Sequence, residues 1–431
     1  MRYVLNLIYF AALIIFSPVA IYRMIRQNRY RKGWRNRVGI IENPGQKAKC
    51  VWIHAVSVGE VNATRTIVGE LEAKLNDCQI AISTTTDTGF ERANKLYGGR
   101  HLVFFFPMDF SFVMEKAFKN LDPDCCVLME LEVWPNFVMT AKRLGIPVVV
   151  ANGRISEKSY KRYKQIKPIA RWMFDKVSLI LSQTEEYRQR FIELGVEADN
   201  VITTNSLKYD TAQTNANVEG ADELRELLKV EGQRLWVAGG TGNDEEPIIL
   251  DVFRELKKLD EFEDLRLALV PRKPERFDEV NLYIRQFGFE SIRLGRLKSG
   301  TAQAVDGAES VILGDTMGDL RKFYSFADMI FVGRSLVKMG GSDMMEAAAL
   351  EKCTIFGPYA FNFKQTVEAL VSGDGAIMVQ DEHSLFEVMK KCLSDDEYRN
   401  GIATRGKEII VSNQGATQKT VEHIERLVNQ G

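Results

Sequence analysis

Short apolar runs alternate with amphipathic stretches over the first half of the chain. The apolar runs are long enough for buried strands and lie at 51–55, 79–83, 102–106, 125–129, 147–151 and 178–182. The amphipathic stretches have helical periodicity and lie at 60–75, 87–97, 111–120, 135–144, 156–174 and 184–194. Alternation of this kind predicts an α/β fold with a parallel sheet covered by helices on both faces.

The second half repeats the pattern after a polar interval at 211–232, which indicates a linker or a domain edge. Further apolar runs follow at 235–239, 265–270, 311–313, 329–332 and 354–356. The sequence therefore predicts two Rossmann-like, doubly wound domains, at 38–212 and 213–414, that face each other across a cleft. The remaining residues, 415–431, are predicted to form a helix that could pack back on the first domain.

An uncharged, almost wholly apolar run from Val4 to Tyr22 precedes both domains. At about 1.5 Å per residue, a helix of this length can just cross a bilayer core. A basic stretch follows, with no acid before Glu42, and basic residues beside a membrane segment are held in the cytoplasm and attract anionic headgroups. We therefore expect residues 1–37 to be a membrane anchor with a basic juxtamembrane segment, and the domains to be cytoplasmic.

Two other interpretations of this apolar run compete with the spanning anchor. A cleavable signal peptide is disfavoured because the run is long and no A-x-A-like site follows it. A monotopic helix that lies in the membrane interface stays open, because Pro18 interrupts the run and its length is marginal for a span.

The overall charge is near zero, because 57 basic and 58 acidic residues give the 431-residue chain a formal net charge of −1. This balance gives no sign of nucleic-acid binding. The six cysteines and four histidines show no metal-ligand spacing, and no CxxC occurs. The cysteines are therefore expected to be small buried hydrophobes in a reducing compartment, and no structural zinc is expected.

Residues 50–64 hold the first candidate for chemistry. The apolar run ends at Ala55, and a helical pattern starts at Glu60. A carboxylate between a strand and the following helix lies at the ligand-binding edge of a doubly wound sheet, so Glu60 is a candidate general base. The alternative is that Glu60 only caps the helix, because acids are favoured in a first helical turn.

Other polar groups also follow predicted strands. Glu130 and Glu132 come directly after the run at 125–129, and Lys208 precedes the polar interval, where it could face the cleft. In the second half, residues 271–277 are basic and residues 340–346 are rich in glycine, as phosphate and nucleotide sites are. The order of these loops suggests a nucleotide-linked donor on the second domain and an acceptor on the first.

With these motifs, the chain resembles the Kdo (3-deoxy-D-manno-octulosonic acid) transferases, the membrane-bound GT-B glycosyltransferases of lipopolysaccharide synthesis. The similarity covers essentially the whole chain. Its first-domain motifs are HAVSVGEVNAT at 54–64, TTTDTG at 84–89, MELEVWPN at 129–136, NGRIS at 152–156 and LKYD at 207–210. Its second-domain motifs are PRKPERF at 271–277, GDTMGDL at 314–320, FVGRSLV at 331–337 and GGSDMMEAAAL at 340–350.

The resemblance implies inverting transfer of the acid sugar Kdo from CMP-Kdo to a lipid A precursor, such as lipid IVA, at the inner membrane. It implies that Glu60 takes the proton of the acceptor hydroxyl, and that Glu130 and Lys208 steady the transition state. The CMP-binding positions that it implies are Pro271, Arg272, Met317, Gly318, Asp319, Asp343, Met344, Met345 and Glu346. Neither a metal ion nor a cofactor is implied, because Arg272 and nearby backbone donors can hold the leaving phosphate.

The departures from the family pattern lie in the donor half of the chain. They are Arg334 for a glycine, Ser342-Asp343 for His-Asn, Asp319 for a glutamate, and residues 239–243 for a Ser-Thr-His segment, with Glu245 and Glu246 retained. Two further hypotheses therefore stand beside Kdo transfer: a related transferase with another CMP-linked acid sugar or another membrane acceptor, and a catalytically silent membrane protein. A sugar-nucleotide epimerase of similar fold is disfavoured, because a soluble substrate gives no reason for an anchor.

Overall fold

The computed structural model describes residues 2–26, 32–42, 48–303 and 309–430. Part of the predicted basic segment, including Arg29 and Arg31, lies outside the described residues. The chain divides into two compact units, one made of Met1–Thr211 with Gln414–Gly431 and the other of Ala212–Asn413.

Elements are numbered in chain order. The strands of the first unit are β1 Lys49–His54, β2 Cys78–Thr84, β3 Leu102–Phe105, β4 Cys125–Met129, β5 Val148–Gly153, β6 Leu179–Ser182 and β7 Val201–Thr203. Those of the second unit are β8 Arg234–Thr241, β9 Leu265–Pro271, β10 Glu290–Arg293, β11 Ser310–Leu313, β12 Met329–Val332, β13 Cys353–Phe356 and β14 Ile377–Met378.

The helices surround these strands. Those before the second unit are α1 Arg2–Arg26, α2 Trp34–Arg37, α3 Val58–Lys74, α4 Asp87–Tyr97, α5 Ser111–Leu121, α6 Pro135–Leu144, α7 Glu157–Gln165, α8 Lys167–Phe174, α9 Glu185–Glu193 and α10 Leu207–Asp210. The others are α11 Ala221–Leu228, α12 Glu246–Leu256, α13 Phe277–Gln286, α14 Leu294–Lys298, α15 Leu320–Phe326, α16 Met345–Ala349, α17 Lys364–Ser372, α18 Glu382–Ser394, α19 Asp396–Ser412 and, back in the first unit, α20 Ala416–Gln430.

Within the described residues, each unit contains one parallel sheet. The strand order is β3-β2-β1-β4-β5-β6-β7 in the first unit and β10-β11-β9-β8-β12-β13-β14 in the second. Central strands are apolar at successive positions because helices cover both faces. In β1, Trp52 packs in the core that includes helix α6, whereas Val51 and Ile53 pack in the core that includes α3 and α20.

The strand order reverses beside β1 in the first sheet and beside β8 in the second. In the first unit the chain runs from β1 to β2 and β3 on one side, and then continues from β4 on the other side. Helices therefore leave the carboxyl ends of β1 and β4 on opposite faces, and the crevice between them is where doubly wound sheets bind ligands. The second unit has the same switch between β8 and β12.

Three local differences from the predicted elements have physical reasons. The helix predicted at 156–174 is broken at Ile166, because Pro168 follows in the first turn of α8 and cannot donate a backbone hydrogen bond. The predicted linker at 211–232 contains α11, which buries Leu224 and Leu228. Strands β10 and β14 were not predicted, because edge strands of four and two residues carry little hydrophobic pattern.

The core of the first unit includes Phe104, Phe105, Phe106 and Phe110, which are at most 9% exposed. One prediction about buried side chains is confirmed. The six cysteines are all free and buried, as small apolar side chains are.

Candidate active site

Glu60 lies in the first turn of α3, directly after β1. Its Oε1 accepts a hydrogen bond from Ser57 Oγ (2.9 Å), and its Oε2 accepts one from the Val56 backbone N–H (2.9 Å). Ser57 is the N-cap of α3, and its Oγ accepts a hydrogen bond from the Glu60 N–H (3.4 Å). The structure thus contains the helix-capping arrangement that is the alternative to a general-base role for Glu60. Because a carboxylate can accept about four hydrogen bonds, capping orients Glu60 and leaves lone pairs for a substrate hydroxyl.

Glu130 is brought close to Glu60 by the reversal of strand order. It is the first residue after β4 and has a left-handed backbone conformation, with φ 55°. Burial raises the pKa of Glu130, the negative charge of Glu60 raises it further, and the positive charges of Arg154 and Lys208 lower it. The three residues that the sequence singled out in this domain, together with Arg154, therefore share one electrostatic environment.

Glu132 adds a third carboxylate to this group. Its carboxylate accepts a hydrogen bond from Trp134 Nε1 (3.2 Å). Burial, followed by the negative charge of Glu60, raises the pKa of Glu132 to about 7, although the bond from Trp134 opposes the shift. The sequence placed Glu132 at a strand end but assigned it no role, because the charges that act on it come from a different loop.

The turn that carries Lys208 is held from two directions. Asn152, at the end of β5, is buried, and its Oδ1 accepts a hydrogen bond from the Leu207 N–H (3.2 Å). Asp210 Oδ1 accepts a hydrogen bond from the Gly415 N–H (2.7 Å), just before α20. The exposed Lys208 side chain thus extends from a short helix that is fixed by β5 and by α20.

In the second unit, Pro271 ends β9, and Arg272 follows with an exposed side chain. The Arg272 N–H donates to Thr241 O (3.1 Å) at the end of β8. Glu246 is buried, and its carboxylate accepts hydrogen bonds from Arg276 Nη1 (2.5 Å), Arg276 Nη2 (3.1 Å) and Thr241 Oγ1 (2.8 Å). This buried pair fixes the loop that carries Arg272 against the end of β8.

Residues 317–319 follow β11 and lead into α15. Met317 is 71% exposed, and Gly318 has φ 92°, a conformation that favours glycine. Asp319 accepts hydrogen bonds from Lys298 Nζ (2.6 Å) and Thr316 Oγ1 (2.5 Å). Burial opposes ionisation of Asp319, but these partners lower its pKa. Asp319 is therefore an ionised group already engaged by the protein.

Residues 343–346 lead into α16. Asp343 Oδ1 accepts a hydrogen bond from the Met345 N–H (3.0 Å). Met344 and Met345 are 0% and 3% exposed, so of the two residues only backbone groups could contact a ligand. Glu346 is solvent-accessible, yet the protein around it and the negative charge of Asp343 raise its pKa, against the positive charge of Arg272. Arg272, Asp343 and Glu346 are thus neighbours in the second unit.

Glu245 joins the loops after β8 and β12, on either side of the second switch point. Its side chain is fully buried, and its Oε1 accepts hydrogen bonds from the Ser335 and Leu336 N–H groups (both 2.9 Å). Its Oε2 accepts hydrogen bonds from the Arg334 N–H (2.5 Å) and the Gly242 N–H (3.3 Å). Burial raises the pKa of Glu245, while these backbone donors oppose the shift.

Arg334, which stands where the family usually has glycine, keeps a left-handed backbone conformation with φ 61°. Its guanidinium Nη2 donates to Met339 O (3.1 Å). The side chain is therefore tethered to its own loop at the carboxyl end of β12.

A family model described as 3-Deoxy-D-manno-octulosonic-acid transferase (kdotransferase) matches residues 32–211. The chain is also 33% identical over 404 residues to the 3-deoxy-D-manno-octulosonic acid transferase of Haemophilus influenzae, and the alignment covers 92% of each chain. The chain belongs to this family. The Kdo transferase of Chlamydia muridarum is 27% identical over 405 residues, which are 93% of this chain and 91% of that one. This Kdo transferase family member is therefore a glycosyltransferase, as its motifs predicted.

The fold is shared more widely than the family. The crystal structure of UDP-GlcNAc 2-epimerase from Neisseria meningitidis superposes with a TM-score of 0.58 at 13% identity, covering 88% of this chain and 100% of that one. At this identity the likeness shows the fold alone. It confirms the predicted GT-B type of α/β fold, and it carries no epimerase activity over to this Kdo transferase family member.

Proposed function

We propose that this protein transfers Kdo from CMP-Kdo to a lipid A precursor, such as lipid IVA, at the cytoplasmic side of the inner membrane. One observation carries the proposal: Glu60, Glu130 and Lys208 share one electrostatic environment at the switch point of the first unit, in a chain of the Kdo transferase family. A transferase that inverts the sugar carbon needs one base at the acceptor and a held leaving group at the donor.

Glu60 acts as the base in this proposal. The acceptor hydroxyl gives its proton to Glu60 while its oxygen bonds to the anomeric carbon of Kdo. The bond between that carbon and the phosphate oxygen breaks, and CMP leaves with the electron pair. Hydrogen bonds from the Val56 N–H and from Ser57 Oγ hold the Glu60 carboxylate in one orientation, which lowers the entropic part of the activation barrier.

Glu130 and Lys208 support the charge changes around Glu60. Lys208 is a cation beside the carboxylates, and it offsets their mutual repulsion while the acceptor oxygen becomes negative. Glu130 has a raised pKa, so it is protonated more readily than an ordinary glutamate and can donate a hydrogen bond to the reacting sugar.

The second unit holds the nucleotide in this proposal. Its candidate positions are Pro271, Arg272, Met317, Gly318, Asp319, Asp343, Met344, Met345 and Glu346. Arg272 has an exposed guanidinium at the carboxyl end of β9, which suits a leaving phosphate. Because Met344 and Met345 are buried, they would contribute backbone groups.

The acceptor is a lipid, so we also propose that α1 keeps the enzyme at the membrane. The window Arg2–Val19 has a mean hydropathy of 1.6 and is long and apolar enough to cross a bilayer, by length and composition. Membrane attachment confines enzyme and acceptor to the same surface.

Transfer by purified, detergent-solubilised protein tests the reaction. CMP-Kdo is generated in situ, lipid IVA is the acceptor, and products are read by mass spectrometry. Wild-type protein is expected to add one or more Kdo units, and Glu60→Gln is expected to be slower by a factor on the order of 10²–10⁴. Glu70→Gln, on the same helix, is the matched control and should retain activity.

Two results would contradict this proposal. Full activity of a folded Glu60→Gln variant would exclude Glu60 as the base. Absence of any Kdo transfer, beside an active reference enzyme, would exclude Kdo as the sugar. Other CMP-linked acid sugars would then be the substrates to test, because Arg334 changes the charge at the donor-side switch point.

A further inference from the structure

The first turns of α1 bind the first unit through polar side chains on one helix face. Arg2, Asn6 and Tyr9 are spaced by four and three residues, so they project on the same side of the helix. Asn6 Nδ2 donates to Ser111 Oγ (2.8 Å), and Asn6 Oδ1 accepts from the Ser111 N–H (3.0 Å). Asn136 Nδ2 also donates to Asn6 Oδ1 (3.3 Å). Asn6 therefore joins α1 to the starts of α5 and α6.

A buried carboxylate completes this attachment. Tyr9 donates from its hydroxyl to Asp109 Oδ2 (3.0 Å), and Asp109 is only 7% exposed. Asp109 also accepts hydrogen bonds from the Asn136 N–H (3.0 Å) and the Phe137 N–H (2.8 Å). Arg2 adds an ion pair with Glu115 at 2.9 Å. Partly buried polar contacts of this kind fix α1 in one position on the first unit, whereas apolar contacts alone would let a helix slide along the surface.

The rest of α1 presents apolar side chains to its surroundings. Large apolar side chains that are at least 49% exposed follow one another along the helix: Leu7, Ile8, Phe10, Leu13, Ile14, Ile15, Phe16, Val19 and Ile25. A continuous exposed apolar surface of this length marks a membrane contact. Basic residues at 26, 32 and 35 accompany it and suit anionic headgroups. The occupant of this surface is therefore the apolar layer of a lipid bilayer.

The chain beyond α1 returns to the same place on the first unit. Met108 donates its N–H to Arg37 O (2.9 Å), and Arg37 places its guanidinium 4.6 Å from the centre of the Phe105 ring. Arg37 Nη2 also donates to Thr85 O (3.2 Å). Met108 is the residue next to Asp109, which holds Tyr9. The first turns of α1 and the segment that follows α1 are thus attached to adjacent residues of the first unit.

We propose that α1 is a monotopic membrane helix, with both of its ends on the side of the bilayer that holds the first unit. A helix that crosses a hydrocarbon core of about 30 Å would place its two ends on opposite sides of the membrane. The attachments at Met108 and Asp109 require the two flanks to share one side. This inference rests on the membrane attachment proposed above, and it takes the alternative that the sequence left open.

The arrangement also places the acceptor-side carboxylates near the lipid. Asn136, which binds Asn6, is separated from Glu130 and Glu132 by one short loop at the carboxyl end of β4. The same loop therefore connects the membrane helix to the candidate active site, so a lipid acceptor would not have to leave the membrane surface completely.

Labelling from one side of the membrane tests the inference. The six native cysteines are buried, so a short hydrophilic tag with one cysteine ahead of residue 1 gives a single reactive position. In a second chain, Asn76→Cys marks the exposed surface of the first unit. Both proteins are treated with a membrane-impermeant maleimide in sealed vesicles of either orientation.

The inference predicts that the tag and the Asn76→Cys marker are labelled in the same vesicle orientation, with protection of at least tenfold in the other. Labelling of the tag and the marker in opposite orientations would show a spanning helix and overturn the inference. A protein found entirely outside the membrane fraction would also overturn it. Neither result would affect the mass-spectrometric assay in detergent, so failure here is distinguishable from failure of the proposed reaction.

Discussion

Replacement of Glu245 by glutamine should loosen the donor-side loops while keeping the shape of the side chain. The carboxylate accepts four backbone hydrogen bonds, two at each oxygen. A glutamine side chain has one acceptor oxygen, so two of the four N–H groups would lose their acceptor and face an NH₂ group. At about 1–3 kcal/mol for each unsatisfied buried group, local opening should become easier by about 2–6 kcal/mol.

Hydrogen exchange read by mass spectrometry measures this opening directly. Because about 1.4 kcal/mol corresponds to tenfold, amides at 334–336 should exchange roughly 30-fold to 10⁴-fold faster in Glu245→Gln. Amides of the first unit should keep their exchange rates. The KM for CMP-Kdo should rise, since the loosened loops carry the proposed nucleotide site. Glu231→Gln, an exposed position in the same unit, is the matched control and should change neither quantity.

The reasoning would be refuted by protection at 334–336 that stays within about threefold of wild type in a folded Glu245→Gln protein. In that case the buried carboxylate would not be what holds the two loops together.

Three further outcomes are expected. Glu132→Gln should remove an ionisation near pH 7 from the pH profile of transfer. Because the folded-state pKa of Glu132 is raised to about 7, its stabilising contribution is present at low pH and is lost as pH rises from the ordinary pKa of glutamate through 7. Over that pH range, the thermal stability of the wild type should therefore fall more than that of the variant. Arg276→Met should lower the free energy of unfolding of the second unit by about 3–5 kcal/mol in urea titrations, and adding Glu246→Leu should restore most of it, because the buried charge is then gone. Asp210→Asn should cost about 1–2 kcal/mol, seen as faster amide exchange at the start of α20, and should lower kcat by displacing the turn that carries Lys208.

The central strands and the order of the loops could be predicted because strands that are buried on both faces appear in the sequence as continuous runs of apolar residues. Val51 to Ala55 is apolar apart from His54, and Cys125 to Met129 is apolar throughout, so the acids that follow these runs could be placed near a ligand edge from sequence alone. Short edge strands do not appear as such runs, because too few of their residues are buried.

The partners of the key acids could not be predicted. Glu245 binds backbone N–H groups about 90 positions further along the chain, and backbone groups carry no sequence signal. Burial is the largest cause of the raised pKa of Glu132, and the negative charge of Glu60, which belongs to another loop, adds to it. Capping of α3 by Ser57 was foreseeable as a local motif, and the Glu60 carboxylate takes part in it by accepting a hydrogen bond from Ser57 Oγ.

The hydrogen bond between Asp210 and Gly415 has a consequence for biosynthesis. The residues from Ala212 to Asn413 form a contiguous unit that can fold as soon as it leaves the ribosome, whereas the first unit needs α20, which is made after the second unit. At about 5–20 residues per second, the nascent turn with Lys208 waits for tens of seconds before its partner is translated. Newly made chains should therefore complete the second unit before the first, so chaperones would bind a protein whose first unit still lacks α20.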